Sequence, residues 1–290
     1  MKIPELFKNG RTVFSFEIFP PKKDGSIDTV YKTLDELSDL KPDFISVTYG
    51  AGGTAPGAST REIVSIIKEK YHTESIAHLT CVNSAKEDID RIIGEFQQSG
   101  IENVLALRGD INPEIPPKKD FPHASDLIAY MKERGDFSFS GACYPEGHAE
   151  AASFEQDIEN LKRKVDAGAT HLMSQLFFDN AYFYKFLEKA RAAGINVPIE
   201  AGIMPCVNAK QIQRMVTMCG ASLPQKFTKL ISRYENNPTA MRDAGIAYAA
   251  DQIIDLAANG VDGIHLYTMN NPYIARKISE SVMGVIRNDN

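Results

Sequence analysis

Short apolar runs recur along the chain at a nearly regular interval, and longer amphipathic stretches lie between most of them. β-rich segments are predicted near 12–19, 43–48, 75–79, 102–107, 138–143, 170–175, 197–202 and 262–266, because short runs of branched and aromatic residues bounded by turn formers read as strands. The intervening stretches carry apolar residues at helical spacing. Several predicted helices end on a glycine just before the next strand: Gly100 before "IENVLAL", Gly168 before "ATHLMSQ", Gly194 before "INVPIEA" and Gly260 before "VDGIHLY". Glycine accepts the left-handed conformation that stops a helix, so these junctions mark helix-to-strand turns.

The interval is about 30 residues, the length of one βαβ unit. Eight such units in roughly 250 residues predict an α/β fold in which a parallel sheet closes into a TIM-type (β/α)8 barrel. No low-complexity linker interrupts the pattern, so 1–290 is read as one domain. The irregularity lies between the seventh and eighth strands. There "SLPQKFTKLISRYE" and "NPTAMRDAGIAYAADQIIDLAANG" predict two helices, one of them extra to the barrel, the second starting at Asn237-Pro238 with a cap and a first-turn proline.

In the first strand, "FSFEIFPPK", alternation sends Phe14, Phe16 and Ile18 to one face and Ser15, Glu17 and Phe19 to the other. Pro20 and Pro21 supply no ladder donor, which puts Glu17 near the strand's C-terminal end. That is the end where parallel barrels carry their chemistry. Other predicted strands end similarly: Thr48-Tyr49 after the second, His78 in the third, Arg108-Gly109-Asp110 after the fourth, Tyr144 after the fifth, Gln175 after the sixth and Tyr267 after the eighth. Polar groups gathered at one end of a barrel suit a mouth that holds a large polar ligand.

Composition narrows the class. With 290 residues, 43% of them hydrophobic, the chain can bury a large core. A net charge of -6 with both signs interspersed gives no reason to expect a nucleic-acid or membrane partner. No run approaches the ~20 apolar residues of a membrane span, and the N-terminus lacks a signal-peptide core, so a cytoplasmic protein is expected. Cys81, Cys143, Cys206 and Cys219 form no Cys-x-x-Cys pair and read as reduced thiols.

Four features carry alternatives. Residues 50–55, Gly-Ala-Gly-Gly-Thr-Ala, match a dinucleotide-binding turn, but Pro56 and Gly57 delay the following helix and the segment belongs to the second unit. His78 reads as a core histidine, a metal ligand or a cofactor contact; the other histidines show no short ligand spacing, so no metal is expected. Arg108 with Asp110 reads as a turn ion pair or as part of the mouth. Arg163 and Lys164 read as a solvated helix face or as cations reaching phosphates.

The segments "FSFEIFPPK", "ISVTYGAGG", "AHLTC", "LALRGD", "ACYPEGHAEA", "LKRKVDAGATHLMSQLFFD", "GIMP" and "HLYTMN", in order over nearly the whole chain, resemble the methylenetetrahydrofolate reductase family. The resemblance implies a FAD-dependent barrel that reduces 5,10-methylenetetrahydrofolate to 5-methyltetrahydrofolate with NADH or NADPH, in one-carbon metabolism and methionine biosynthesis. Glu17 would be the general acid that protonates the folate as its five-membered ring opens to an iminium, which then accepts a hydride. Phe16, Ile18 and Phe19 would give that carboxyl an apolar setting. Asp110 would lie beside flavin and pterin as a second catalytic group. Thr48, Tyr49, His78, Leu79, Arg108, Gly109, Asp110, Ala124, Tyr144, His148, Ala151, Asp157, Asn160, Arg163 and Lys164 match flavin positions, and Glu17, Asp110, Gln175, Gln211 and Tyr267 match substrate positions.

One departure stands out. Relatives often carry "YTLNR" where this chain has Tyr267-Thr268-Met269-Asn270-Asn271, which removes a cation that would hold the folate's glutamyl carboxylates. The chain ends with the barrel, so the C-terminal regulatory domain of eukaryotic relatives is not expected. A homo-oligomer and a partner subunit both remain open. The competing functions are a pterin-binding barrel methyltransferase and a non-catalytic subunit of a one-carbon complex.

Overall fold

The computed structural model describes residues 1–21, 25–49, 58–111, 114 and 116–287; the glycine-rich 50–55 segment, Pro56 and Gly57 lie outside them. Eight parallel strands close into a barrel in chain order: β1 (Val13–Ile18), β2 (Phe44–Val47), β3 (Glu74–Thr80), β4 (Asn103–Leu107), β5 (Ser138–Cys143), β6 (Ala169–Ser174), β7 (Ile199–Ile203) and β8 (Gly263–Tyr267). Closure is made by β1 against β8, with Ser15 beside His265 and Glu17 beside Tyr267. The predicted TIM-type barrel is therefore present, with strand ends displaced by one or two residues. The seventh strand starts after Pro198, which has no N–H for the ladder.

The helices are α1 (Asp28–Leu37), α2 (Ala58–Tyr71), α3 (Lys86–Gln98), α4 (Ala124–Lys132), α5 (Phe154–Ala167), α6 (Asn180–Ala192), α7 (Ala209–Cys219), α8 (Gln225–Tyr234), α9 (Pro238–Ala258) and α10 (Pro272–Ile286). Between β7 and β8 stand the two predicted helices, α8 and α9, and also α7, which was not predicted. Ile212 of α7 is buried, Met215, Val216 and Cys219 pack against the same cluster, and the ends of the helix rest on Asn208, whose side chain accepts from Lys210 and Gln211 N–H, and on left-handed Gly220. Asn237 caps α9 by accepting from Ala240 N–H, as expected.

Strand alternation sorts the side chains into two compartments. Phe14, Phe16, Ile18, Ile45, Val47, Ala201, Ile203, Ile264 and Leu266 face outward into the main core beneath the helices. At the lower end of the barrel, Val13, Phe44, Ile76, Leu105 and Met173 form a second apolar cluster, closed by Ile3 of the 3-10 helix Ile3–Asn9. Above it the interior is polar. Ser15, Glu17, Ser46, His78, Ser140, His171, Glu200 and His265 are all buried, whereas barrel interiors of this kind are mostly filled by Val, Ile and Leu.

Candidate active site

Glu17 is the penultimate residue of β1, and it faces the barrel interior with 7% of its surface exposed. Its Oε2 stands 3.5 Å from His265 Nε2 and 3.7 Å from His78 Nε2. The expected apolar setting is corrected here: Phe16 and Ile18 lie in the outer core, because a pleated strand turns neighbours away from one another. Histidines from β3 and β8 surround the acid instead.

The strand end that carries Glu17 is held by the segment after β8. Thr268 Oγ1 donates to Glu17 O at 2.7 Å and Thr268 N–H donates to the same oxygen. Asn270 grips Phe19 from both sides, its Oδ1 accepting from Phe19 N–H and its Nδ2 donating to Phe19 O. Met269 and Asn270 both take positive φ to make this turn.

His78 lies two residues inside β3 rather than at its end. Burial pushes its imidazole down to about 4, against the pull of Glu17 and with the help of His265, so the ring is neutral near pH 7. Among the described residues its Nε2 is buried without a hydrogen-bond partner, and so is Thr48 Oγ1. Buried polar atoms are normally paired. Two orphans at the mouth of the barrel are atoms that a bound ligand would satisfy.

Arg108 turns away from Asp110, contrary to the turn ion pair considered above. Its guanidinium makes a two-pronged pair with Glu150, at 2.5 and 3.0 Å, since Glu150 offers both carboxylate oxygens to the planar fork. Asp110 is exposed at the mouth. Between them Gly109 has φ +87°, and an added Cβ would come to 3.0 Å from Thr80 Cβ, so a side chain at this bend would be strained.

Beside the mouth a cleft of about 270 Å³ opens between the ends of β4 and β5 and the helices α4 and α5. Arg108, Ala124, Tyr144, His148, Ala151, Asp157, Asn160, Arg163 and Lys164 line it, all of them sequence-predicted, together with His123, Ser125 and Glu150, which were not. Asp157 Oδ2 accepts from His148 N–H at 3.0 Å, and the Tyr144 ring meets His148 edge-on. Burial raises both the Asp157 carboxyl and the Tyr144 phenol, and lowers the Lys164 ammonium. Lys164 Nζ donates to Ala142 O at 2.5 Å, its stem lying over Gly141, where a Cβ would come 2.6 Å from Lys164 Cδ. Arg163 is exposed. It is the freer of the two cations.

The remaining predicted residues divide. Gln175 follows β6, and its Oε1 accepts from Leu176 N–H, leaving the amide NH2 for a ligand. Tyr267 donates its hydroxyl to Ser174 O at 2.8 Å across Gly202, so that oxygen is engaged in closing the barrel. Leu79 is buried in the outer core and Tyr49 packs against it, so what Leu79 offers a ligand is main chain. Gln211 lies in the first turn of α7; among the described residues no hydrogen bond joins its side chain to the mouth. His265 was missed. Only closure of β8 onto β1 reveals that it faces Glu17. Among the described residues no three His, Cys, Asp or Glu side chains converge as a metal site, and no helix is long and apolar enough to cross a membrane.

A sequence profile of the methylenetetrahydrofolate reductase family matches residues 2–283. The chain belongs to the methylenetetrahydrofolate reductase family. Among curated relatives, the 5,10-methylenetetrahydrofolate reductase of Pectobacterium carotovorum subsp. carotovorum is 38% identical over 273 residues, covering 94% of this chain and 91% of its own. The Escherichia coli K12 enzyme of the same name is 36% identical over 275 residues, with the same coverage. Methylenetetrahydrofolate reductase (NADH) 1 of Arabidopsis thaliana is 35% identical across 99% of this chain, which spans 50% of the plant protein. Among solved structures, a Clostridium thermocellum protein described as binding two copies of 5-methyl-5,6,7,8-tetrahydrofolic acid superposes with a TM-score of 0.66 at 14% identity, over 97% of this chain and 98% of that one. That likeness shows the barrel fold. As a member of the methylenetetrahydrofolate reductase family, the chain is an oxidoreductase.

Proposed function

We propose that this protein reduces 5,10-methylenetetrahydrofolate to 5-methyltetrahydrofolate with NADH or NADPH, using FAD held across the barrel mouth and the adjoining cleft. The observation that carries the reading is the position of Glu17: a buried acid at the C-terminal end of a barrel strand, flanked by His78 and His265. FAD when bound supplies the hydride.

The residues present fit that cofactor. Thr48 and His78 offer polar atoms at the barrel end of the site, Gly109 gives close backbone approach, and Arg163, Arg108, His148 and Asn160 supply donors along the cleft. Lys164 adds a second cation to the cleft lining while its ammonium holds Ala142 O. The folate reading is supported by the names of the bacterial relatives and by the ligand of the Clostridium thermocellum protein. Glu17 donates the proton that opens the folate ring, exposed Asp110 accepts pterin N–H bonds, and the Gln175 amide presents a donor to the same ring system. Where relatives often carry the "YTLNR" arginine this chain has Asn271, whose Oδ1 caps α10 by accepting from Ile274 N–H.

The protein as isolated is expected to be yellow, with one FAD per chain on acid release. A colourless protein that takes up no FAD on incubation contradicts the reading.

A further inference from the structure

Below Glu17 the polar side chains of the barrel interior lie close together. His265 Nδ1 is 2.7 Å from Ser15 Oγ, and Ser15 Oγ donates to Glu200 Oε1 at 3.0 Å; Glu200 Oε2 stands 3.0 Å from His171 Nε2, but the two atoms are not aligned as a hydrogen bond. His171 Nδ1 meets Ser140 Oγ at 2.9 Å. Glu200 and His171 are both 0% exposed. Room for Glu200 comes from Gly263, where a Cβ would lie 2.6 Å from Glu200 Cγ and 2.9 Å from Oε1. A carboxylate placed this deep is costly unless it is bonded, and nothing in the reaction described above employs it.

We propose that Glu200 is a positioning residue that acts through Ser15 to fix which nitrogen of His265 carries the ring proton, keeping His265 Nε2 a bare acceptor beside Glu17. Ser15 has one hydroxyl proton. Its acceptors are Glu200 Oε1 at 3.0 Å, Ile264 O at 3.4 Å and His265 Nδ1. A charge-assisted bond to the carboxylate is the strongest of these, so the proton goes to Glu200 and the Ser15 oxygen accepts from His265 Nδ1–H. Neutral imidazole carries one N–H; Nε2 is then unprotonated.

That nitrogen faces Ser46 Oγ at 3.3 Å and Glu17 Oε2 at 3.5 Å. The other groups around the ring are His78, Tyr267, set edge-on, and Phe44, stacked on it. A bare acceptor beside Glu17 can take a hydrogen bond from a carboxyl O–H, whereas an N–H there would donate to a carboxylate. A general acid must hold its proton until the substrate takes it. The proton passed to the folate leaves Glu17 as carboxylate and His265 neutral with Nδ1–H, and the charge balances. The consequence for catalysis rests on the reading of Glu17 as the acid, but the tautomer does not.

The test is the tautomer itself, read in long-range 1H–15N spectra of the full chain labelled with 15N-histidine. The chain has six histidines, and the His265 signals are those lost in His265→Asn. In the parent, His265 is expected as the Nδ1–H form. Glu200→Met should convert it to the Nε2–H form, and Glu200→Gln, whose carbonyl oxygen still accepts from Ser15, should not. Ser15→Ala, a smaller change, breaks the same link and should convert it as well if Glu200→Met fails to fold. An Nε2–H form in the parent overturns the proposal, as does an unchanged tautomer in folded Ser15→Ala or Glu200→Met. Reoxidation by folate should slow on the order of tenfold in Glu200→Met, the effect of about one hydrogen bond. Bleaching by nicotinamide should not change. Failure of the folate reading would leave the tautomer result intact.

Discussion

Glu17→Gln is expected to divide the reaction into a half that survives and a half that fails. The substitution keeps the size of the side chain and most of its contacts with His78 and His265, so the fold and the cleft beside α5 should be unaffected. Glutamine holds no transferable proton. Bleaching of the yellow protein by NADH needs no acid at the folate and should proceed at a rate close to that of the parent. Recovery of colour on adding methylenetetrahydrofolate should slow by at least ~10²-fold, the lower end of what general acid–base catalysis contributes. Rapid mixing of each half separately reads both rates. Equal loss in the two halves, or normal recovery with folate, removes Glu17 from the role of acid.

Arg163→Glu should weaken FAD retention by ten- to a hundredfold, about what one charged hydrogen bond is worth, with an added penalty from like-charge repulsion. Arg163 is exposed on the cleft wall, so its replacement carries little cost to the fold. Lys164→Glu is a harsher change, since the new carboxylate would face Ala142 O in a half-buried position; the double reversal should lose the cofactor altogether and also lower Tm. Lys162→Glu is the control, because Lys162 pairs with Asp166 along the same helix and does not line the cleft. Fluorescence of FAD released on dilution measures the difference. Equal retention in Arg163→Glu and Lys162→Glu would move the phosphate-binding end of the site away from α5.

The barrel was legible because its signals are local. Period-2 apolar runs, amphipathic spacers and helix-stopping glycines each act within a few residues, and Gly100, Gly168, Gly194 and Gly260 all take positive φ where the sequence placed turns. The mouth was legible for the same reason: Thr48, Arg108, Tyr144 and Gln175 follow their strands directly. What escaped depends on closure. Alternation says that Ser15, Glu200 and His265 point inward, but their meeting requires β7, β8 and β1 to lie side by side in one register. The Arg108–Glu150 pair joins the ends of β4 and β5 through a loop, and no spacing rule predicts it. α7 was not predicted, although Ile212, Met215, Val216 and Cys219 recur at helical spacing and pack into one cluster.

If flavin, nicotinamide and folate meet in this barrel, as proposed, an anaerobic spectrum will show it. The purified protein is titrated with NADH, or NADPH if NADH is inert, and then with methylenetetrahydrofolate, while the visible flavin bands are followed and the folate product is identified. The account predicts bleaching by the nicotinamide, recovery of the bands on adding folate, and 5-methyltetrahydrofolate formed in equal amount to the flavin reoxidised. A flavin that bleaches but is not reoxidised by methylenetetrahydrofolate would contradict it.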